Sequence, residues 1–228
     1  MTVSLDALDD GIFRAMNDVD FPVADVLRGI DAALAAGLAP VKINMVVKRG
    51  TNDQEIVPLA RHVREHLGPD VVLRFIEYMD VGGATRWSMQ DVVSRQEMLR
   101  RLSAHFGPIS PVDEDSAAPA DRFTLPDGTV FGIISSTTEP FCRQCDRSRV
   151  TADGLWYRCL YARSGTDLRG PLRAEAGPVG LRTLIANTWQ ARDDRGAEER
   201  LATEDRSPLI AVETLLDEPH LEMHTRGG

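Results

Sequence analysis

The chain has 228 residues, of which 43% are apolar and 27% are charged, and it carries a net charge of −9 at neutral pH. The acidic balance argues against general nucleic-acid binding, which requires a basic surface to neutralise phosphate. No apolar run approaches the length of about 18 residues that a membrane span requires. The three cysteines are odd in number and lie close together, which disfavours a secreted disulfide framework, so we expect a cytoplasmic protein.

The first eighty residues alternate between strand and helix patterns. Apolar residues recur at every second position in the strand patterns and at helical spacing between them. The order strand, helix, strand, helix, strand implies a parallel sheet with right-handed crossovers. The predicted elements are strands at 3–6, 41–47 and 71–79, and helices within 21–37 and 56–67.

A polar, proline-containing linker at 108–121 separates a first predicted domain at 1–107 from a second at 122–228. The stretch 192–206 is charged and has few apolar residues, so we predict a mobile loop there. The other predicted elements are a helix near 94–105, a hairpin at 122–135 with its turn at Asp127-Gly128, and a helix around 179–191.

Two of the predicted strands carry polar residues among apolar ones. Lys42 and Asn44 interrupt one strand, and Arg74 and Glu77 interrupt the next. A solvent-facing edge strand would explain them, but strands of parallel sheets are usually covered on both faces. Ligands of such sheets bind near the carboxyl ends of strands, so we favour a functional role for Lys42 and Arg74.

All three cysteines lie in "CRQCDRSRVTADGLWYRC", as Cys142, Cys145 and Cys159. Inert buried thiols, a zinc site and an iron–sulfur cluster are the alternatives. A structural zinc site needs four ligands, and none of the five histidines lies in or beside the segment. A four-iron cluster on three thiolates leaves one iron open, as catalytic metal sites do. The spacing therefore favours such a cluster over structural zinc.

Arginines are concentrated around the cysteines. Arg147 and Arg149 are two residues apart, so in extended chain both guanidinium groups face one side, where they can bind phosphate oxygens in bidentate fashion. Charge balance with Asp146 and Asp153 is the alternative explanation. The position just after a cysteine pair favours binding of a small polyanion, and no G-x-x-x-x-G-K-[ST] loop is present to cradle phosphates.

The segment "HVREH" at 62–66 fits the H-x-x-E-H pattern of zinc peptidases. Its two histidines flank the apolar stripe of the predicted helix at 56–67 and should be solvated. Matches of five residues arise by chance, so a metallopeptidase is a minor alternative.

The segments "SLDAL", "VKINMVV", "LRFIEYMDVG" and "EPFCRQCDRSRVTADGLWYRCL", followed by a terminal Gly-Gly, resemble the GTP 3',8-cyclase family of molybdenum-cofactor biosynthesis. These radical S-adenosylmethionine (SAM) enzymes convert GTP to 3',8-cyclo-7,8-dihydro-GTP. The resemblance spans nearly the whole chain. It implies an α/β fold in which the C-terminal half of an incomplete, TIM-like radical-SAM barrel precedes a small α+β iron–sulfur domain.

The resemblance also implies a role for individual residues. One cluster of the family cleaves SAM to a radical that abstracts hydrogen from the ribose C3' of GTP, and a second [4Fe–4S] cluster anchors the purine. By position, the implied residues are Cys142, Cys145 and Cys159 for the second cluster; Lys42, Arg74, Arg147, Ser148 and Arg149 for GTP; Ser4 and Met79 for SAM; and Gly227 and Gly228 for the catalytic tail.

The sequence departs from the family pattern in two ways. Asp146 stands where the family usually has asparagine, and a carboxylate there would repel phosphate or pair with an arginine. The Cys-x3-Cys-x2-Cys motif of the first cluster is absent, so we expect a truncated chain that begins about halfway through the barrel and does not cleave SAM alone.

A non-catalytic iron–sulfur or zinc module that binds a purine nucleotide is the alternative function. Expected partners are GTP, a second copy of the chain, or another chain that supplies the missing half of the barrel. An incomplete barrel exposes sheet edges, which favours such pairing.

Overall fold

The computed structural model describes residues 1–81, 84, 86–113, 118–174, 177–204 and 206–218. It divides into two compact units. The first comprises Met1–Tyr78 and Met89–Glu139, and the second comprises Met79–Ser88 and the chain from Pro140 onward. In the part of the chain that is described, no helix combines the length and apolar character needed to cross a membrane.

The first unit is built around a six-stranded mixed sheet. Its strands are, in chain order, β1 (Thr2–Ser4), β2 (Val41–Val47), β3 (Val71–Glu77), β4 (Ser110–Pro111), β5 (Asp121–Thr124) and β6 (Val130–Ile134). Across the sheet their order is β1-β2-β3-β6-β5-β4. β1, β2, β3 and β6 run parallel, whereas β5 is antiparallel to both of its neighbours. The α/β class and the predicted parallel strands are confirmed.

The alternation of β2 explains its place in the core. Val41, Ile43, Met45 and Val47 are fully buried on one face, as the pattern predicts. β3 follows the same alternation, and its buried face ends in the carboxylate of Glu77.

The described residues of the first unit contain four α-helices. They are α1 (Asp10–Asn17), α2 (Val23–Ala35), α3 (Ile56–His62) and α4 (Arg95–Phe106). The helix predicted at 56–67 is α3 followed by one π-helical turn, Val63–Leu67, which ends at Gly68 with φ 75°. α1 was not predicted, although Asp9 caps it by accepting a hydrogen bond from the Ile12 amide at 2.9 Å.

The hairpin predicted at 122–135 is formed by β5 and β6, but it lies in the first unit and not in the predicted second domain. β6 pairs with β3 from Arg74↔Gly132 to Ile76↔Ile134. Residues 131–134 of β6 are all buried, and the strand pairs with β3 along one edge and with β5 along the other. The described part of the predicted linker at 108–121 contains β4 of the same sheet.

Asp6 and Asn52 hold the end of β1 to β2. Oδ1 of Asp6 accepts a hydrogen bond from the Val46 amide at 2.7 Å, and Nδ2 of Asn52 donates to the carbonyl oxygens of Asp6 and Val46 at 2.9 and 2.7 Å. Both side chains are buried. Burial raises the pKa of Asp6 from 3.8 to about 6, although the Val46 hydrogen bond lowers it.

Replacement of Asp6 by asparagine should stabilise the fold at neutral pH. Because the folded-state pKa is raised, the stability that this group contributes is fully present below 3.8 and is lost as the pH rises through about 6. A shift of about two pKa units bounds the loss at about 3 kcal/mol. We expect the free energy of unfolding of Asp6→Asn, measured in urea, to exceed that of the wild type by about 1–3 kcal/mol at neutral pH. The variant should also lose the fall in stability that the wild type shows as the pH rises through about 6.

The exposed Asp70 provides the control, because Asp70→Asn also removes one carboxylate charge but does so at a solvent-exposed position. Equal gains for the two variants at neutral pH would contradict the buried-carboxyl explanation.

The described part of the second unit contains a small antiparallel sheet and four α-helices. The strands are β7 (Arg149–Val150), β8 (Leu155–Tyr157) and β9 (Thr166–Asp167), in that order across the sheet. The helices are α5 (Arg169–Arg173), α6 (Gly177–Gln190), α7 (Gly196–Leu201) and α8 (Val212–Asp217).

The prediction of a mobile loop at 192–206 is wrong over 196–201, where α7 lies. The segment has few apolar residues, but Ala197 is buried with Val81 and Tyr161 in one apolar cluster. Burial of Ala197 and the ion pair of Arg200 with Asp80 hold this helix in place, and a count of apolar residues reveals neither contact.

Candidate functional site

The two cysteines of the Cys-x2-Cys pair flank a single helical turn. Cys142–Gln144 form a 3₁₀ turn, and the amide of Cys145 donates to the carbonyl oxygen of Cys142 at 3.3 Å. Cys142, Cys145 and Cys159 are all partly buried, and none is in a disulfide. The thiols are therefore free and at least partly accessible.

Cys142 and Cys159 pack against the same apolar cluster, which contains Tyr161 and Ala197. A Cβ at Gly196 would clash with Cβ of Tyr161 and would lie 3.0 Å from Sγ of Cys159, so the glycine permits the close approach of α7 to Tyr161 and to this thiol. Burial raises the pKa of Cys142, although hydrogen bonds from the backbone of Glu198 and Ala197 oppose the rise. The start of α7 thus faces the thiol of Cys142.

Cys145 has a different environment, because two guanidinium groups contact its sulfur. Nη2 of Arg192 lies 3.5 Å from Sγ, and Nη2 of Arg147 lies 3.7 Å from it. Burial by itself would raise the pKa of Cys145. Hydrogen bonds from the Arg147 backbone and from Arg192, together with the charge of Arg147, outweigh burial and lower that pKa. The thiol of Cys145 is therefore more readily deprotonated than that of Cys142.

The arginines predicted to hold phosphate lie next to this thiol along the chain. The guanidinium of Arg147 stacks over the Phe141 ring at 4.6 Å, and its buried Nε has no hydrogen-bond partner among the described residues. Arg149 begins β7 opposite Tyr157 and is partly buried, whereas Ser148 and Asp146 are exposed. Arg147 therefore retains a donor for a ligand.

A row of polar residues crosses the sheet of the first unit. The parallel register aligns Ser4 with Asn44, Asn44 with Arg74, and Arg74 with Gly132. Nε of Arg74 donates to Oδ1 of Asn44 at 2.8 Å, and burial lowers the pKa of Arg74. Lys42 shares the face of Asn44 two residues away and is exposed. The structure thus brings together three of the predicted residues on one sheet face.

Gly132 is a member of this row that the sequence analysis missed. A Cβ there would lie 3.3 Å from Cγ of Arg74 and 3.0 Å from Cβ of Ala120. The missing side chain leaves room for the arginine stem, and a glycine within an apolar strand was the available signal.

The other predicted residues have different positions. Met79 starts the Met79–Ser88 segment of the second unit and packs, partly buried, on the cluster of Val81 and Tyr161. Gly227 and Gly228 lie outside the described residues. The two rings of "HVREH" lie 5.1 Å apart, and burial followed by the charge of His66 lowers the pKa of His62.

The donor set of the second unit is compatible with a four-iron cluster. Among the residues described, no three His, Cys, Asp or Glu side chains converge closely enough for one metal ion. A four-iron cluster bonds each thiolate to a different iron, so its ligands are spaced more widely than those of a single ion. Cys142 and Cys145 share one turn, and Cys142 and Cys159 share one apolar cluster. Three softly coordinating thiols in one region fit such a cluster.

A cavity of about 430 Å³ opens beside Cys159 within the second unit. Its lining is mainly polar and includes Tyr161, Arg163, Asp194 and Arg200. It gives the thiol region an approach from solvent.

The sequence matches the protein family described as Molybdenum Cofactor Synthesis C over residues 71–198. The chain belongs to this family. The match begins with β3, which carries Arg74, and includes all three cysteines. The resemblance found from the motifs is confirmed at the level of the family.

Curated relatives extend the similarity over the remaining residues. The chain is 49% identical to GTP 3',8-cyclase 1 of Mycobacterium tuberculosis (strain CDC 1551 / Oshkosh) over 228 residues, which is 100% of this chain and 62% of the relative. It is 41% identical to the GTP 3',8-cyclase of Acidothermus cellulolyticus over 94% of this chain and 60% of the relative. It is 40% identical to the GTP 3',8-cyclase of Synechococcus sp. (strain WH7803) over 100% of this chain and 64% of the relative. The chain thus spans about three-fifths of the length of these relatives.

Proposed function

We propose that this chain forms the GTP-binding and second-cluster part of a GTP 3',8-cyclase of molybdenum-cofactor biosynthesis. The observation that carries the proposal is the thiol region, where Cys145 contacts two guanidinium groups and Nε of Arg147 has no hydrogen-bond partner among the residues that the structure describes. The names and identities of the curated relatives support the same activity.

In this proposal Cys142, Cys145 and Cys159 hold a [4Fe–4S] cluster. When bound, the cluster supplies an open iron that anchors the guanine base. Arg147, Ser148 and Arg149 then bind the phosphates, and the planar guanidinium groups provide bidentate contacts. The partly buried Arg147, stacked on Phe141, is better preorganised for this task than an exposed arginine.

For the first unit we propose the C-terminal half of an incomplete, TIM-like radical-SAM barrel, and for the second unit the iron–sulfur domain. The parallel order of β1, β2, β3 and β6 supports the first assignment, since such barrels are built from parallel strands. Lys42 and Arg74 would contact GTP, and Ser4 and Met79 would contact SAM. Gly227 and Gly228 would reach the reacting ligands as a catalytic tail.

Cleavage of SAM requires a further cluster on a Cys-x3-Cys-x2-Cys motif, and the sequence contains only the three cysteines of the second site. We therefore expect this polypeptide to bind a cluster and GTP without forming 5'-deoxyadenosine by itself. A second copy of this chain would bring no further cysteine motif, so a different chain that carries the other cluster would have to complete the reaction.

Anaerobic reconstitution with iron and sulfide tests the proposal. The wild-type chain should take up roughly four iron atoms with matching acid-labile sulfide and then bind GTP in calorimetric titrations. Substitution of any one thiolate ligand, as in Cys145→Ala, should abolish stable cluster uptake because the cluster bonds depend on all three thiolates.

Ser164→Ala provides the control, because Ser164 is exposed close to the third cysteine along the chain and should leave loading unchanged. Uptake of one zinc ion in place of a cluster would favour the non-catalytic module. A wild-type chain that loads no cluster, or a Cys145→Ala variant that loads normally, would overturn the assignment. Formation of 5'-deoxyadenosine from SAM by this chain alone would overturn the expected inactivity.

A further inference from the structure

Arg192 binds two atoms of the same cysteine. Its Nη1 donates to the carbonyl oxygen of Cys145 at 2.5 Å, and its Nη2 lies 3.5 Å from Sγ. Only 11% of the Arg192 side chain is exposed. Because the guanidinium is planar and rigid, contacts to both the main chain and the sulfur restrict rotation of the Cys145 side chain about its Cα–Cβ bond.

The surroundings of Arg192 fix the position of its guanidinium. The group stacks over the Trp189 ring at 4.7 Å, and Trp189 in turn stacks on Trp156 at 6.0 Å. Nε of Arg192 lies 3.7 Å from Oδ2 of Asp194, which is also 3.5 Å from Nε of Arg158. The stack and the shared carboxylate hold Arg192 from two sides.

Arg192 and Arg147 both contact the sulfur of Cys145, but their remaining groups differ. Arg147 lies two residues along the chain, beside the phosphate-binding positions proposed above, and its Nε bonds to no residue in the described part of the chain. Arg192 is 47 residues away and directs both terminal nitrogens at Cys145. The first arrangement suits a ligand-binding residue, whereas the second suits a residue that acts on the cysteine.

We infer that Arg192 is a positioning residue for Cys145, which orients the thiolate toward the cluster and raises the reduction potential of that cluster. The inference rests on the proposed function, in which Cys145 is a cluster ligand. Hydrogen bonds and positive charge at a ligand sulfur stabilise the reduced cluster, which carries more negative charge, more than the oxidised cluster. Loss of the Arg192 guanidinium should therefore lower the reduction potential of the cluster and make the iron bond to the Cys145 thiolate more labile.

The test compares the reconstituted wild-type chain with Arg192→Gln, Arg192→Lys and Arg182→Gln. Arg182 is an exposed arginine of α6 and provides a matched loss of charge. Three quantities are measured: iron per chain, the rate of cluster loss to an iron chelator, and the midpoint potential from a redox titration followed by electron paramagnetic resonance. Circular dichroism of each chain before reconstitution reports its fold.

Arg192→Gln should show a more negative midpoint potential and lose its cluster about 10- to 100-fold faster, as expected when an outer hydrogen-bond partner of a metal ligand is removed. Arg192→Lys keeps the positive charge without the two-point contact, so its potential should lie between those of the wild type and Arg192→Gln. Arg182→Gln should match the wild type in all three measurements.

Outcomes for this inference and for the proposed function can be told apart. A wild-type chain that takes up no cluster overturns both. A wild-type chain with a cluster, together with an Arg192→Gln chain of the same potential, overturns only the inference, whatever their relative rates of cluster loss. If Arg192→Gln fails to fold or to take up a cluster, the midpoint potential of Arg192→Lys provides the test. A potential equal to that of the wild type overturns the inference, and a lower potential supports it.

Discussion

Replacement of Glu77 by alanine should lower the free energy of unfolding of the first unit by about 2–4 kcal/mol. Glu77 ends the buried face of β3 and is fully buried. Its Oε1 accepts hydrogen bonds from the Arg95 amide at 2.8 Å and the Thr138 hydroxyl at 2.6 Å. Its Oε2 accepts from the amides of Thr137 and Thr138 at 3.0 and 2.7 Å. Alanine would leave these donors without the acceptor around which they are arranged.

The carboxylate joins three segments of the first unit. It connects the end of β3, the start of α4 and the turn after β6, so its loss should loosen segments far apart in sequence. Glu77→Gln keeps one oxygen but places an amide nitrogen, itself a donor, against donors. We therefore expect glutamine to restore only part of the lost stability.

Urea unfolding followed by far-ultraviolet circular dichroism provides the measurement for Glu77→Ala. Glu65→Ala is the control, since Glu65 is exposed and its oxygen lies 3.7 Å from Arg64, a surface pair that contributes at most about 1 kcal/mol. Equal unfolding midpoints for Glu77→Ala and Glu65→Ala would show that Glu77 does not hold these segments together.

A strand was predictable from the sequence where its own alternation of apolar and polar residues determines it. β2 has the bounds predicted from "VKINMVV" because its alternation records one buried and one open face. The partner of β6 was not predictable in this way. Its apolar run indicates burial, but the pairing with β3 joins residues nearly sixty positions apart, and the hairpin pattern suggested only a local partner. The domain assignment of the hairpin differed for this reason.

In the thiol region, too, local sequence revealed some residues of the site and tertiary contacts determine the others. The three cysteines and Arg147 lie within one short stretch, so their spacing alone suggested a metal or cluster site and an anion site. Arg192 contacts Cys145 from a segment whose composition predicted a mobile loop. Gly196, which admits the sulfur of Cys159, belongs to the same segment. Their roles depend on tertiary contacts that neither charge nor periodicity records.

Asp80 is a buried charge of the second unit, and Asp80→Ala should destabilise that unit by about 3–5 kcal/mol. The side chain is inaccessible and pairs with two arginines. Nη2 of Arg206 donates to Oδ1 at 2.8 Å, and Nε of Arg200 donates to Oδ2 at 2.7 Å. Tyr161 adds a hydrogen bond from its hydroxyl to Oδ1 at 3.2 Å.

The physical reason for the large effect is the charge that would remain. The Arg206 side chain is only 6% exposed and lies over the Trp87 ring at 4.9 Å. Without Asp80 its guanidinium would stay buried with its main counter-charge removed, which costs far more than an open surface pair. Asp80→Asn keeps the shape but not the charge, so it should also be strongly destabilising.

The effect of Asp80→Ala should depend on pH. Burial by itself raises the pKa of Asp80, but hydrogen bonds and charges from Arg206 and Arg200 outweigh burial and hold it below the ordinary value of 3.8. A lowered folded-state pKa gives stability that is present above 3.8 and is lost as the pH falls through the folded-state value. The difference between the wild type and Asp80→Ala should therefore shrink in strong acid.

Tryptophan fluorescence in urea isolates the second unit, because all three tryptophans, Trp87, Trp156 and Trp189, belong to it. Asp217→Ala is the control, since Asp217 is exposed at the end of α8 and should shift the midpoint little. If Asp80→Ala and Asp217→Ala unfold at the same urea concentration near neutral pH, the Asp80 network does not stabilise the unit. If instead the Asp80→Ala deficit persists undiminished in strong acid, the deficit comes from lost packing and not from the buried charge.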